Sequence, residues 1–109
     1  MAEKGGTMIK VIHETDTYGL NVSGHAGGQR NAEGHDMVCC AVSALMQTLL
    51  YTASKSGHML DHEAEDGFLR IAITPGQRFT RDLQVMFRTV EDGIEMLAQA
   101  YPECIEIDW

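Results

Sequence analysis

The pattern of apolar and polar positions divides this chain into seven ordered segments. Met8 to His13 (MIKVIH) is β-branched and apolar and predicts a strand. Turn residues fill Asp16 to Gly19. Tyr18 to Ser23 then alternates, with Leu20 and Val22 on one side and Asn21 and Ser23 on the other, so the two runs predict a hairpin. Gly24 to Gly34 has no period and contains Gly27, Gly28 and Gly34, which predicts a mobile loop. Asp36 is a good N-cap, and a helix is expected from there to about Lys55, with Gly57 as its stop. That helix is apolar nearly all round, so it is expected to be buried on more than one side, over the sheet or against a second copy of the protein.

The second half repeats the outline. Met59 to Ala64 predicts a strand, Glu65-Asp66-Gly67 a hairpin turn, and Phe68 to Thr74 a strand with Leu69, Ile71 and Ile73 on one face, ended by Pro75-Gly76. Phe79, Leu83, Met86, Phe87, Val90, Ile94, Leu97, Ala98 and Tyr101 fall at spacings of three and four, one stripe of a second helix that Pro102 closes. Cys104 to Trp109 alternates and predicts the last strand. The order ββαββαβ implies an α+β fold of two layers, a five-stranded and mostly antiparallel sheet with two helices packed on it. At 109 residues the chain suffices for one domain, expected over residues 8–109 behind a disordered polar tail over residues 1–7. So small a core is marginal, and pairing into a homodimer would add to it.

Composition narrows the function. The chain is 44% hydrophobic and 22% charged, an ordinary globular balance. Its net charge of −8 argues against nucleic acid as a direct partner and fits a basic one. Three cysteines cannot close a disulfide framework. No run suggests a signal peptide, and no stretch approaches the roughly 18 apolar residues of a membrane span. A reducing cytoplasm is the expected compartment, away from the membrane.

The chemistry concentrates in Ser23 to Ser43, SGHAGGQRNAEGHDMVCCAVS. Cys39 falls in the first turn expected of the helix, where the dipole and the unpaired amides favour a thiolate, the nucleophilic form. The amides around Cys39 and Cys40 are candidate oxyanion donors. Cys40 sits about 100° further round, so only one of the pair can face a given cleft. His25, fourteen positions before Cys39 at a strand end, is the leading general base, ahead of His35. Asp36 could orient a histidine as well as cap the helix, and Ser43 lies one turn beyond Cys39 on the same face. His13, His58 and His62 show no matching partners. A metal site from His25, His35, Cys39 and Cys40 has the wrong spacing for zinc, and no cofactor or phosphate loop is indicated.

Together, the GHA around His25, the glycine-rich loop and GHDMVCCAVSAL resemble the ribosomal-processing cysteine protease family (Prp, YsxB-like). That family carries a GHA histidine and then G-x-D-[IV]-V-C-A opening a helix. Cys40 stands where alanine is usual, and Met37 replaces the usual isoleucine. The resemblance covers almost the whole chain. It implies a small α+β domain, usually dimeric, with His25 and Cys39 as the catalytic pair and Asp36 as the motif aspartate. It also implies a cytoplasmic endopeptidase that removes the N-terminal extension of large-subunit ribosomal protein number twenty-seven, a basic substrate. An apolar groove beside the first helix would suit the scissile region, with Met37, Met46 or Phe87 as candidate linings, and the loop from Ala26 to Gly34 could close over the peptide. Two other readings stay open: a non-catalytic ribosome-associated binding or assembly module, and a thiol-based redox or metal sensor.

Overall fold

The computed structural model of the protein describes residues 8–14, 17–24 and 35–109, without the side chains of His35 and Asp36. The tail over residues 1–7, His25 and the loop glycines Gly27, Gly28 and Gly34 lie outside these residues. The elements are β1 (Ile9–His13), β2 (Gly19–Ser23), α1 (His35–Lys55), β3 (Asp61–Glu65), β4 (Phe68–Ala72), α2 (Arg81–Ala100) and β5 (Ile105–Asp108). The strands form one sheet in the order β3-β4-β2-β1-β5. Three of its pairings are antiparallel, and β1 pairs parallel with β5. A parallel pair cannot be closed by a hairpin and needs a crossover; here nearly the whole sequence separates the two strands. The elements match the expected order and fold class.

Local signals account for the borders. Helix α1 ends in a Schellman motif: the N–H of His58 donates to the carbonyl of Ala53 at 2.9 Å and that of Gly57 to Ser54 at 3.1 Å. Gly57 has φ +89°, the left-handed value that glycine adopts without a Cβ penalty. Strand β3 begins two residues later than the pattern suggests. All five of its residues are exposed, because it is an edge strand rather than a buried one.

The core lies between the sheet and one face of each helix. Val38, Val42, Met46, Leu49 and Ala53 of α1 recur every three or four residues, as do Leu83, Phe87, Val90 and Ile94 of α2. They meet Ile9, Val11, Leu20, Val22, Ile71 and Ile105 from the sheet. Burying a large aliphatic or aromatic side chain contributes about 1.5–3 kcal/mol, so these two stripes hold the layers together. Within one copy the fully buried residues of α1 form one stripe, Cys39, Leu45 and Leu50 pack partly against the core beside it, and Met37 and Tyr51 are exposed. One expectation about α1 needs correction. Met37–Lys55, 19 residues long, has the length and composition to cross a membrane, with a mean hydropathy of 1.5 over an 18-residue window; in this fold its buried residues make one stripe on the sheet.

Two histidines that lacked partners in the sequence have them in the fold. His13 Nε2 lies 3.1 Å from Glu91 Oε2 on α2, and its ring stacks on Trp109 with centroids 4.6 Å apart. The Tyr18 hydroxyl donates to the same Glu91 oxygen. Burial first, and then Glu91, push the ionisation of Tyr18 well above its ordinary value. His58 Nε2 pairs with Asp82 Oδ2 at 2.9 Å. Both carboxylates come from α2, so no local spacing could announce them.

Candidate active site

Antiparallel pairing brings the start of β1, the end of β2, the end of β3 and the start of β4 to one end of the sheet, where Lys10 faces Ser23, and Phe68 faces both Ser23 and Glu65. Helix α1 starts over this end. Between its first half and the β3–β4 hairpin lies a cleft of about 250 Å³. Ile9, Val22 and Leu69 contribute apolar surface from the sheet, Cys39, Val42, Ser43 and Gln47 come from α1, and Ala64, Glu65, Gly67 and Phe68 come from the hairpin.

The cysteine pair is divided by the helix. Cys39 is half-buried and lines the cleft, whereas Cys40 is exposed and does not. Ser43, one turn on, lines the cleft and accepts a hydrogen bond from Gln47 Nε2 at 3.0 Å. Cys104 precedes β5 at the same end, where its carbonyl accepts from the N–H of Ile9 at 2.8 Å. It is sealed in the core, and burial pushes its thiol up, with Glu103 and Cys39 adding to the effect. It is therefore held as a neutral thiol.

Helix α1 begins at His35, so Asp36 is its second residue and not the N-cap that the pattern suggests. That small shift changes the oxyanion expectation. The amides without an intrahelical acceptor are those of the first turn. Cys39 is the fifth helical residue, so its amide and that of Cys40 fall to the carbonyls four residues back. The expected oxyanion donors are thus occupied by the helix itself.

Gly24 lines the cleft at the end of β2. Its N–H donates to the carbonyl of Gly67 at 2.9 Å, its φ is +95°, and a Cβ there would lie 2.3 Å from the Met8 carbonyl oxygen. Only glycine fits so close an approach in that conformation. The next residue is His25, outside the described residues. The lining differs from the apolar groove expected from the sequence. Met46 and Phe87 are fully buried in the core, and Met37 is exposed away from the cleft. The sequence reading missed Gln47, although continuing the Cys39–Ser43 spacing by another turn reaches it. It also missed Glu65, Gly67 and Phe68, which only strand pairing brings to the cleft. Among the described residues no group of three His, Cys, Asp or Glu side chains is arranged to hold a metal.

The family model described as cysteine protease Prp matches residues 8–106. Among solved structures, SMU.848 from Streptococcus mutans is similar to this protein at 22% identity and a TM-score of 0.79, over 94% of each sequence. The essential ribosomal processing protease Prp from S. aureus, in complex with a substrate peptide, is similar at 17% identity and a TM-score of 0.74, over 93% of this sequence and 96% of that one. The same protease with a covalently linked product peptide gives a TM-score of 0.71. No curated protein sequence matches it.

Proposed function

The chain belongs to the cysteine protease Prp family, and from that premise we propose that it is a cytoplasmic endopeptidase of ribosome maturation with Cys39 as nucleophile and His25 as general base and acid. The observation that carries this reading is the shared cleft: Cys39 lines it, and so does Gly24, the residue joined to His25. Gly24 is the last described residue before His25 in the sequence, and adjacent Cα atoms are about 3.8 Å apart.

The chemistry follows from the two groups. The imidazole takes the thiol proton, and the thiolate sulfur attacks the peptide carbonyl. The tetrahedral intermediate collapses, the C–N bond breaks, and the imidazolium gives its proton to the leaving amine. Water, deprotonated by the imidazole, then attacks the thioester. The carboxylic acid leaves and the thiol is restored. Asp36 and Ser43, one on each side of Cys39 along α1, support the pair in this reading.

The substrate we assign is large-subunit ribosomal protein number twenty-seven, cleaved to remove its N-terminal extension. The S. aureus relative is a ribosomal processing protease, and the net charge of −8 favours encounter with a basic ribosomal protein. A homodimer fits the helix layer, where Ala41, Ala44, Leu45 and Thr48 of α1 and Gly93, Met96, Leu97 and Ala100 of α2 enclose a mainly apolar groove of about 510 Å³. A single monomeric species in analytical ultracentrifugation would remove the dimer from this account.

The test of the activity is cleavage of a peptide spanning the extension, followed by mass spectrometry. Cys39→Ala and His25→Ala should each abolish cleavage while circular dichroism stays unchanged. Cleavage by Cys39→Ala would overturn the assignment. Iodoacetamide separates the enzyme from a binding module, because a reactive thiolate is alkylated well below about pH 8 and an inert structural cysteine is not.

A further inference from the structure

Cys39, Ser43 and Gln47 recur at intervals of four along α1 and all line the cleft, so one ridge of the helix forms its wall. The cleft is therefore a trench running down the helix from the thiol, with the β3–β4 hairpin opposite. Among the described lining residues, the polar side chains besides Cys39 are Ser43, Gln47 and Glu65. Glu65, as a carboxylate, only accepts hydrogen bonds. A primary amide both donates and accepts, the complement of one backbone carbonyl and one backbone N–H. Gln47 spends one amide hydrogen on Ser43 Oγ at 3.0 Å, which leaves its other N–H and its Oε1 for a ligand.

We propose that Gln47 is a positioning residue that pairs with the backbone of an extended substrate peptide three to four residues from the bond cleaved, an inference that rests on the protease reading above. Eight helical residues advance about 12 Å, and an extended peptide advances about 3.3 Å per residue, which sets that register. The trench then reads backbone at Gln47 and side chains against Ala64, Phe68 and Leu69. Gln47 makes no contact with the reacting atoms, so its contribution belongs to binding and register.

The experiment compares the unmodified protein with Gln47→Ala on a peptide spanning the ribosomal-protein extension and on two series shortened from either end. Loss of one or two neutral hydrogen bonds should raise KM about five- to tenfold with kcat unchanged. The two proteins should become equal in the one series whose shortened peptides no longer reach Gln47. An unchanged KM, a fall in kcat alone, or a difference that persists in both series overturns the proposal. The same peptides, fluorescently labelled, are titrated into Cys39→Ala with and without Gln47→Ala. A length-dependent loss of affinity without any cleavage by the unmodified protein would sink the protease reading and leave the Gln47 subsite standing. Normal cleavage with no effect of Gln47 would sink the subsite alone, and absence of both binding and cleavage would sink both.

Discussion

The backbone N–H of Gly24 donates to the carbonyl of Gly67 at 2.9 Å, tying the end of β2 to the β3–β4 turn at the mouth of the cleft. This bond joins the segment that leads into His25 to the wall opposite Cys39. Substituting Gly24 by alanine forces a side chain into the left-handed region, at about 1–2 kcal/mol, and drives its Cβ against the Met8 carbonyl oxygen. Gly24→Ala should lower the urea midpoint and, with the protein still folded, lower kcat/KM for the peptide. Unchanged values of both would show that the attachment has no part in the site.

The two adjacent cysteines should separate cleanly. Cys40 is exposed and does not line the cleft, so Cys40→Ala should cleave at the rate of the unmodified protein, whereas Cys39→Ala should not cleave at all. Peptide cleavage assays in reducing buffer provide the comparison. A large loss in Cys40→Ala would move the nucleophile one position along the helix.

The pairing at the start of α2 predicts a pH dependence of stability. Hydrogen bonds from Thr80 first, and then from His58, hold Asp82 down from 3.8 to about 2. A carboxylate depressed in the folded state contributes stability that is fully present above its unfolded value and is lost as pH falls through the folded one. The stability gap between the unmodified protein and Asp82→Asn should therefore be open at neutral pH and close between about pH 4 and about pH 2. Urea titrations at a series of pH values measure it, and a gap independent of pH would exclude the ionic pairing.

Met46 separates core from groove. It is fully buried between the helices and the sheet, so Met46→Ala should cost about 2–5 kcal/mol in unfolding free energy. KM for the peptide should be unchanged at a temperature where the variant remains folded. A raised KM without loss of stability would return Met46 to the substrate groove.

At the other end of β1, Glu91 serves both His13 and Tyr18. Tyr18→Phe removes one donor and leaves Glu91 with His13, a loss of about 1 kcal/mol. Glu91→Leu strands two part-buried polar groups and should cost more. Equal effects in thermal unfolding would show that the two hydrogen bonds do not share one acceptor energetically.

What the sequence alone determined is what short-range physics controls. The spacings of three and four in α2, the alternation around Leu20 and Val22, and the glycine that closes α1 at position 57 act within a turn or two of helix, and they yielded ββαββαβ. The roughly 100° between neighbouring helical residues required that Cys39 and Cys40 diverge. Tertiary structure decided whatever depends on which distant segments meet. The β1–β5 pairing, the carboxylates of α2 that reach His13 and His58, the burial of Met46 and Phe87, and the hairpin wall that faces Gln47 all join residues far apart in the sequence. Apolar periodicity is blind to such pairings, because every greasy stripe looks alike until a particular surface covers it.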